Sequence, residues 1–109
     1  MHELGIAESV IEAVTERLPG TRIASISLEV GSLSGIVPDS LQFSFDLAAQ
    51  GTPLEGARLD ISRAAARCRC QACGTEFEPD GAGALCPCGS AQVAVLTGQE
   101  LRITSVQVA

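Results

Sequence analysis

Cys68-Arg69-Cys70-Gln71-Ala72-Cys73-Gly74 and, after an intervening loop, Cys86-Pro87-Cys88-Gly89 hold every cysteine of the chain. Two close cysteine pairs on tight turns are how a chain assembles a tetrahedral sulfur site, and a glycine after each pair supplies the left-handed backbone such turns often use. The ligand set this spacing favours is Cys70, Cys73, Cys86 and Cys88. Cys68 is then spare. Because Cys86-Pro87-Cys88 is one residue tighter than the usual Cys-x-x-Cys, Cys68 stays open as a substitute ligand. One or two disulfides plus a free thiol are the plain alternative. The opening carries Glu3 and Glu8 rather than a basic start and an apolar run, so we expect neither a signal peptide nor a transmembrane span. The expected compartment is the cytoplasm, where thiols stay reduced and metal ligation is the default. Zinc is the expected metal, and rubredoxin-like iron uses similar paired cysteines.

Working outward, the chain alternates helical and strand periods. Leu4, Ala7, Ile11, Val14 and Leu18 recur at three- and four-residue steps, predicting an amphipathic helix over 3–18 that Pro19-Gly20 ends. Ala24, Ile26, Leu28 and Val30 alternate with polar residues, predicting a strand over 22–30. Pro38 and Asp39 suit the first turn of a second helix over 38–50, with Leu41, Phe45 and Ala48 inward and Gly51 as its stop. Residues 57–63 alternate again around Leu59 and Ile61. The last run, 100–108, places Leu101 and Ile103 on one face, then slips phase near Ser105.

More than thirty residues separate these last two strands, too many for a structureless loop in a compact domain. A metal resolves this by giving the insertion its own framework, with Val93, Val95 and Leu96 in a strand leading back. The expected fold class is α+β. It is a two-layer domain of two helices on a three-stranded sheet, with an inserted four-cysteine zinc lobe. The expected boundaries are 1–65 plus 97–109 for the body and 66–96 for the lobe, with flexible crossings at 64–67 and 96–98.

A net charge of −6 and the absence of lysine argue against nucleic-acid binding, which needs a basic footprint. Arg58, Arg63, Arg67 and Arg69 form a local basic run, read as a solvated strand face or a protein-contact patch. No nucleophile–base pair, phosphate loop or paired-carboxylate cleft is visible, so no enzyme is expected. The zinc-deaminase signature also fails: His2 and Glu3 are adjacent, and Pro87-Cys88 lacks a second cysteine at the required spacing.

The one histidine is residue 2. There the Met1 amine, the His2 amide, the His2 imidazole and the Glu3 amide can meet one plane. Square-planar nitrogen suits Ni(II) or Cu(II) and not zinc. The ion must displace amide protons, so binding should strengthen as pH rises.

Met1-His2-Glu3-Leu4-Gly5-Ile6-Ala7, Ser27-Leu28-Glu29-Val30-Gly31, the two cysteine pairs, Cys88-Gly89-Ser90 and Gly98-Gln99-Glu100-Leu101-Arg102-Ile103 occur in order along essentially the whole chain. Together they resemble the HypA/HybF family of hydrogenase-maturation nickel metallochaperones. The resemblance implies Ni(II) at His2, assisted by the Met1 amine and the backbone nitrogens around Glu3. It implies structural Zn(II) on Cys70, Cys73, Cys86 and Cys88. As partners it implies a nickel-binding maturation GTPase and the [NiFe]-hydrogenase large subunit, and some members also serve urease. Cys86-Pro87-Cys88 departs from the Cys-Pro-x-Cys of many relatives. A zinc-ribbon adaptor and a rubredoxin-like electron carrier are the rival readings.

Overall fold

The structure is a computed structural model in which residues 2–79 and 85–109 are described. Its elements run α1 (His2–Arg17), β1 (Ile23–Gly31), α2 (Pro38–Ala48), β2 (Arg58–Ala64), β3 (Arg67–Cys70), β4 (Glu76–Phe77), β5 (Val93–Thr97) and β6 (Leu101–Val108). They form two three-stranded sheets, ordered β2-β1-β6 and β4-β3-β5. The chain falls into two compact units. One takes in the chain up to Glu29, Ile36–Ser62 and Arg102–Ala109; the other takes in Val30–Gly35 and Arg63–Leu101.

In the first unit α1 and α2 pack together. The α+β class, with two helices and the β2-β1-β6 sheet, is the one the periodicity predicts. α2 starts because Pro38 has no N–H to lose at the first helical position, and Asp39 faces the positive helix end. Leu41, Phe45, Ile26, Leu28 and Leu54 are fully buried and form the centre of the core. Deleting a ring such as that of Phe45 from this core would cost about 3–5 kcal/mol.

The buried stripes differ in detail from the expected ones. α1 buries Ala7, Val10 and Val14, while Leu4, Ile11 and Leu18 stay half-buried. Ile11 sits at an open seam beside Ala48 of α2, and Ala49 takes the buried place expected of Ala48. At the start of β1, Ile23 and Ser25 are buried and Ala24 is exposed, so the inward phase changes between Ser25 and Ile26; the Ile23 N–H donates to the Pro53 carbonyl. Ile103 is exposed; the half-buried positions of β6 are Leu101 and Val106, an odd spacing that fits a phase slip between them.

The second unit contains more chain than the 66–96 expected of the lobe. Gly31, Ser32 and Leu33 donate backbone N–H bonds to Glu100, Ala64 and Gly98, which joins this turn to it. β3 pairs antiparallel with β4 and with β5; Cys68 faces Phe77 on one side and Val95 on the other. The β3–β5 register skips Leu96, so β5 carries a bulge there.

The segments expected to flex, 64–67 and 96–98, lie within the second unit and carry close contacts there. Ala66 is 2% exposed, the Gly98 N–H donates to the Glu100 carboxylate at 2.6 Å, and the Gly98 carbonyl accepts from Leu33 at 2.7 Å. Gly98 has φ +117, and a Cβ there would lie 2.6 Å from the Ala66 Cβ. A Cβ on Gly31 would overlap the Gly98 carbonyl. Two glycines are therefore required for the backbones to pass this closely. The arginine run is partly neutralised: Arg69 and Arg67 reach Glu76 at 2.9 and 3.8 Å, and Arg58 pairs with Asp60 at 2.9 Å.

Candidate metal centre

Each cysteine pair sits on a backbone turn closed by the same bonds. In the first, Gly74 N–H donates to the Cys70 carbonyl (2.9 Å) and Cys70 N–H to the Thr75 carbonyl (2.8 Å). In the second, Gly89 N–H donates to the Cys86 carbonyl (2.8 Å) and Cys86 N–H to the Ser90 carbonyl (3.1 Å). Cys86-Pro87-Cys88 thus closes its turn with one residue fewer and keeps the same function for its glycine. Gly74 and Gly89 have φ +79 and +95, the left-handed backbone both turns require. In both turns the second cysteine's N–H points at the first sulfur, at 3.4 Å.

The turns bring Cys70, Cys73, Cys86 and Cys88 together with all four Sγ atoms within 4.8 Å of one another. Cys70 Sγ lies 3.7 Å from Cys88 Sγ, and Cys73 Sγ 3.6 Å from Cys86 Sγ. These separations are far beyond a disulfide bond of about 2.05 Å. Cys68 is 0% exposed inside the β-sheet and is not in the group.

At the other end, His2 opens α1 with its side chain 56% exposed, and its Nε2 lies 3.9 Å from Glu3 Oε2. The Glu3 carboxylate accepts its own backbone N–H and that of Val37, and both bonds hold it below the usual carboxylate range. Val37 opens α2 and has no side-chain cap of its own, so Glu3 links the starts of the two helices. The Met1 amine lies outside the described residues.

A family model described as "Hydrogenase/urease nickel incorporation, metallochaperone, hypA" matches residues 1–108. The chain belongs to the HypA family. It is 42% identical to the hydrogenase maturation factor HypA of Nostoc punctiforme over 108 residues, covering 99% of this chain and 96% of that one. It is 42% identical to HypA of Geobacter metallireducens over 109 residues, covering 99% of each. Its fold is similar to the solution structure of the Ni metallochaperone HypA from Helicobacter pylori, with TM-score 0.67, 22% identity, and coverage of 99% of this chain and 97% of that one.

The four-cysteine cluster fits zinc. Tetrahedral Zn–S bonds of about 2.3 Å give sulfur–sulfur edges of about 3.8 Å, close to the 3.6 and 3.7 Å found across the two turns. The electrostatics prepare the sulfurs for a cation. The Cys73 N–H holds the Cys70 thiol below its ordinary value. Cys73 itself is lowered to about 6, first by the Thr75 hydroxyl 3.2 Å from its sulfur and then by the Thr75 N–H. At Cys86 the Cys88 N–H pulls down, but burial and the three neighbouring sulfurs outweigh it and push the thiol up to about 12. A divalent cation would offset the burial and the sulfur–sulfur hydrogen bonds that keep Cys86 protonated. Thr75 is a residue that cysteine spacing could not reveal; the one signal was a hydroxyl two positions after Cys73.

Proposed function

We propose that this chain carries Ni(II) at its N-terminus for insertion into [NiFe]-hydrogenase or urease, with zinc as a resident structural ion on Cys70, Cys73, Cys86 and Cys88. The nickel donors are the Met1 amine, the His2 amide, the His2 imidazole and the Glu3 amide. The observation that carries the reading is the exposed His2 at the head of α1, beside a Glu3 whose carboxylate is bound to its own amide and to the start of α2. Nickel would replace the proton on the Glu3 amide. That removes one donor from the Glu3 carboxylate, so loading is felt where α2 begins. One proton leaves each amide, and affinity rises with pH.

In this reading the protein is not an enzyme. It works in the cytoplasm, receives or passes nickel in contact with a nickel-binding maturation GTPase, and serves the hydrogenase large subunit. The zinc turns give a fixed shape and take no part in nickel exchange, since thiolate and nitrogen sets select different ions.

The test is a nickel titration of the zinc-replete protein, its His2→Ala variant, and a form with Gly-Ser added before Met1. His2→Ala should abolish tight nickel binding and client maturation with zinc content and helicity unchanged. The extension turns the amine into an amide, so affinity should fall at least tenfold and the square-planar Ni(II) absorption should vanish. Native nickel binding by His2→Ala would overturn the assignment. Native binding by the extended form would reduce the site to His2 and the Glu3 carboxylate.

A further inference from the structure

α2 is apolar on two faces. Leu41, Phe45 and Ala49 point into the core, yet Phe43 and Leu47, one turn apart, are 71% and 53% exposed. The chain has only three aromatic residues, and one of them stands in solvent. Phe43 and Leu47, with Leu4 from α1, line an open cleft of about 460 Å³ whose rim carries Glu3 and Asp39. A second cleft of about 380 Å³ runs along the α1–α2 seam, with Ile11 and Ala48 at its floor and Glu8, Glu12 and Glu16 along its edge. Five carboxylates and no arginine line the two clefts. Glu8, Glu12, Glu16 and Asp39 make no ion pair among the described residues.

Exposed apolar anchors ringed by one sign of charge mark an interaction surface rather than a solvated helix face. The charge also selects the occupant. A second copy of this chain would bring Asp39 and the Glu8–Glu12–Glu16 stripe against their own equivalents, and like charges across an interface are costly. An amphipathic helix with apolar residues at three- and four-residue steps and lysine or arginine on its flanks meets both features.

We propose that the outer face of the α1–α2 pair docks a cationic amphipathic helix of a partner protein, with Phe43 and Leu47 as the apolar anchors. Glu3 lines the same cleft, so a helix seated there lies beside the residues to which the nickel reading assigns the metal. This deepens that reading by giving the donor end a partner surface, but the docking itself does not depend on nickel.

The probe is a helical peptide of leucine at a and d positions with lysine elsewhere, compared with a scrambled peptide of equal composition and with its glutamate-for-lysine counterpart. Binding to the zinc-replete protein is read by fluorescence anisotropy at two salt concentrations. The amphipathic lysine peptide should bind. The scrambled and glutamate peptides should bind at least tenfold more weakly. Phe43→Ser with Leu47→Ser should lower affinity at least tenfold at both salt concentrations. Glu8→Gln with Glu12→Gln should lower it several-fold and flatten the salt dependence. The serine double variant should still bind nickel as the wild type does while client maturation falls, which separates failure of docking from failure of the nickel site. Three results overturn the proposal: equal binding by the double variant, equal binding of the scrambled peptide, or a wild-type dimer that the serine substitutions dissolve, which would make the occupant a second copy.

Discussion

In the proposed reading the cysteine cluster and the N-terminus bind their ions in opposite ways. Around the four sulfurs the backbone does the positioning: two closed turns, two N–H···S bonds and two left-handed glycines hold the ligand atoms at the spacing a tetrahedral ion needs. At His2 one exposed imidazole is the only side chain the nickel reading uses, and its other donors are backbone nitrogens that become ligands only on losing a proton or standing at a free end. A closed thiolate cage suits an ion that stays. Donors that must be made and unmade suit an ion that is handed on.

The largest test removes one wall of the cage. Cys86→Ala should release zinc and with it most of the roughly 10–16 kcal/mol that a structural zinc contributes to folding at neutral pH. β3, β4 and β5 should lose protection in hydrogen exchange while the helical circular dichroism of α1 and α2 persists. His2→Ala, by contrast, should leave thermal stability within about 0.5 kcal/mol of wild type, as exposed substitutions usually do. A full equivalent of zinc retained by Cys86→Ala would remove Cys86 from the ligand set.

A smaller effect is expected where the second unit's backbones cross. Gly98→Val puts a branched side chain at φ +117 and against Ala66, which costs about 3 kcal/mol from backbone strain and overpacking together. Gly56→Ala also has positive φ but meets nothing within 4 Å, so it should cost only about 1 kcal/mol. Equal denaturation midpoints for the two variants would show that the crossing is not close-packed.

Smaller again is the spare thiol. Cys68→Ser should keep zinc in full, because Cys68 lies outside the sulfur group. It should lose about 1–3 kcal/mol, since the new hydroxyl is buried between strands without an assured partner. Zinc loss as complete as that of Cys88→Ser would mean that Cys68 is a ligand after all.

These residues also show what the sequence could carry. α1, β1, α2, β2 and β6 were legible to within a residue or two because their hydrophobic periods are local. Their inward stripes were legible in part: Ala7, Val14, Ile26, Leu28, Val30, Leu41, Phe45 and Leu59 are buried as expected, whereas Val10 and Ile11 both satisfy a 3.6-residue period, and only the seam beside Ala48 decides between them. Arg67-Cys68-Arg69-Cys70 is an alternating strand, but its cysteines read as ligands and hid β3. Spacing favoured the four-sulfur set but left Cys68 open, while the reason a Cys-Pro-Cys turn can close lay in the Ser90 and Gly89 backbone bonds. The Gly31–Gly98 approach joins residues far apart in the chain, where no local pattern could announce it.

The smallest expected effect isolates one hydrogen bond at the cage. In the folded turn Cys73 is lowered from its ordinary value to about 6, with the Thr75 hydroxyl as the first cause. A depressed thiol favours the thiolate, so this stabilisation is complete above about pH 9 and is lost as pH falls through about 6. Thr75→Val removes the hydroxyl and keeps the backbone N–H, and the Cys73 pKa should move part of the way back up. Zinc release during acidification, followed with a chromophoric chelator, reads the competition between ion and proton in the folded cage. Its midpoint should shift to higher pH in Thr75→Val and stay in place in Thr75→Ser, which retains the hydroxyl. The shift should be slight, because removing one hydroxyl lets protons compete only a little better for Cys73. Coincident release profiles for the valine and serine variants would assign the depression to the backbone alone, and Thr75 would then be a turn residue with no part in preparing the sulfur.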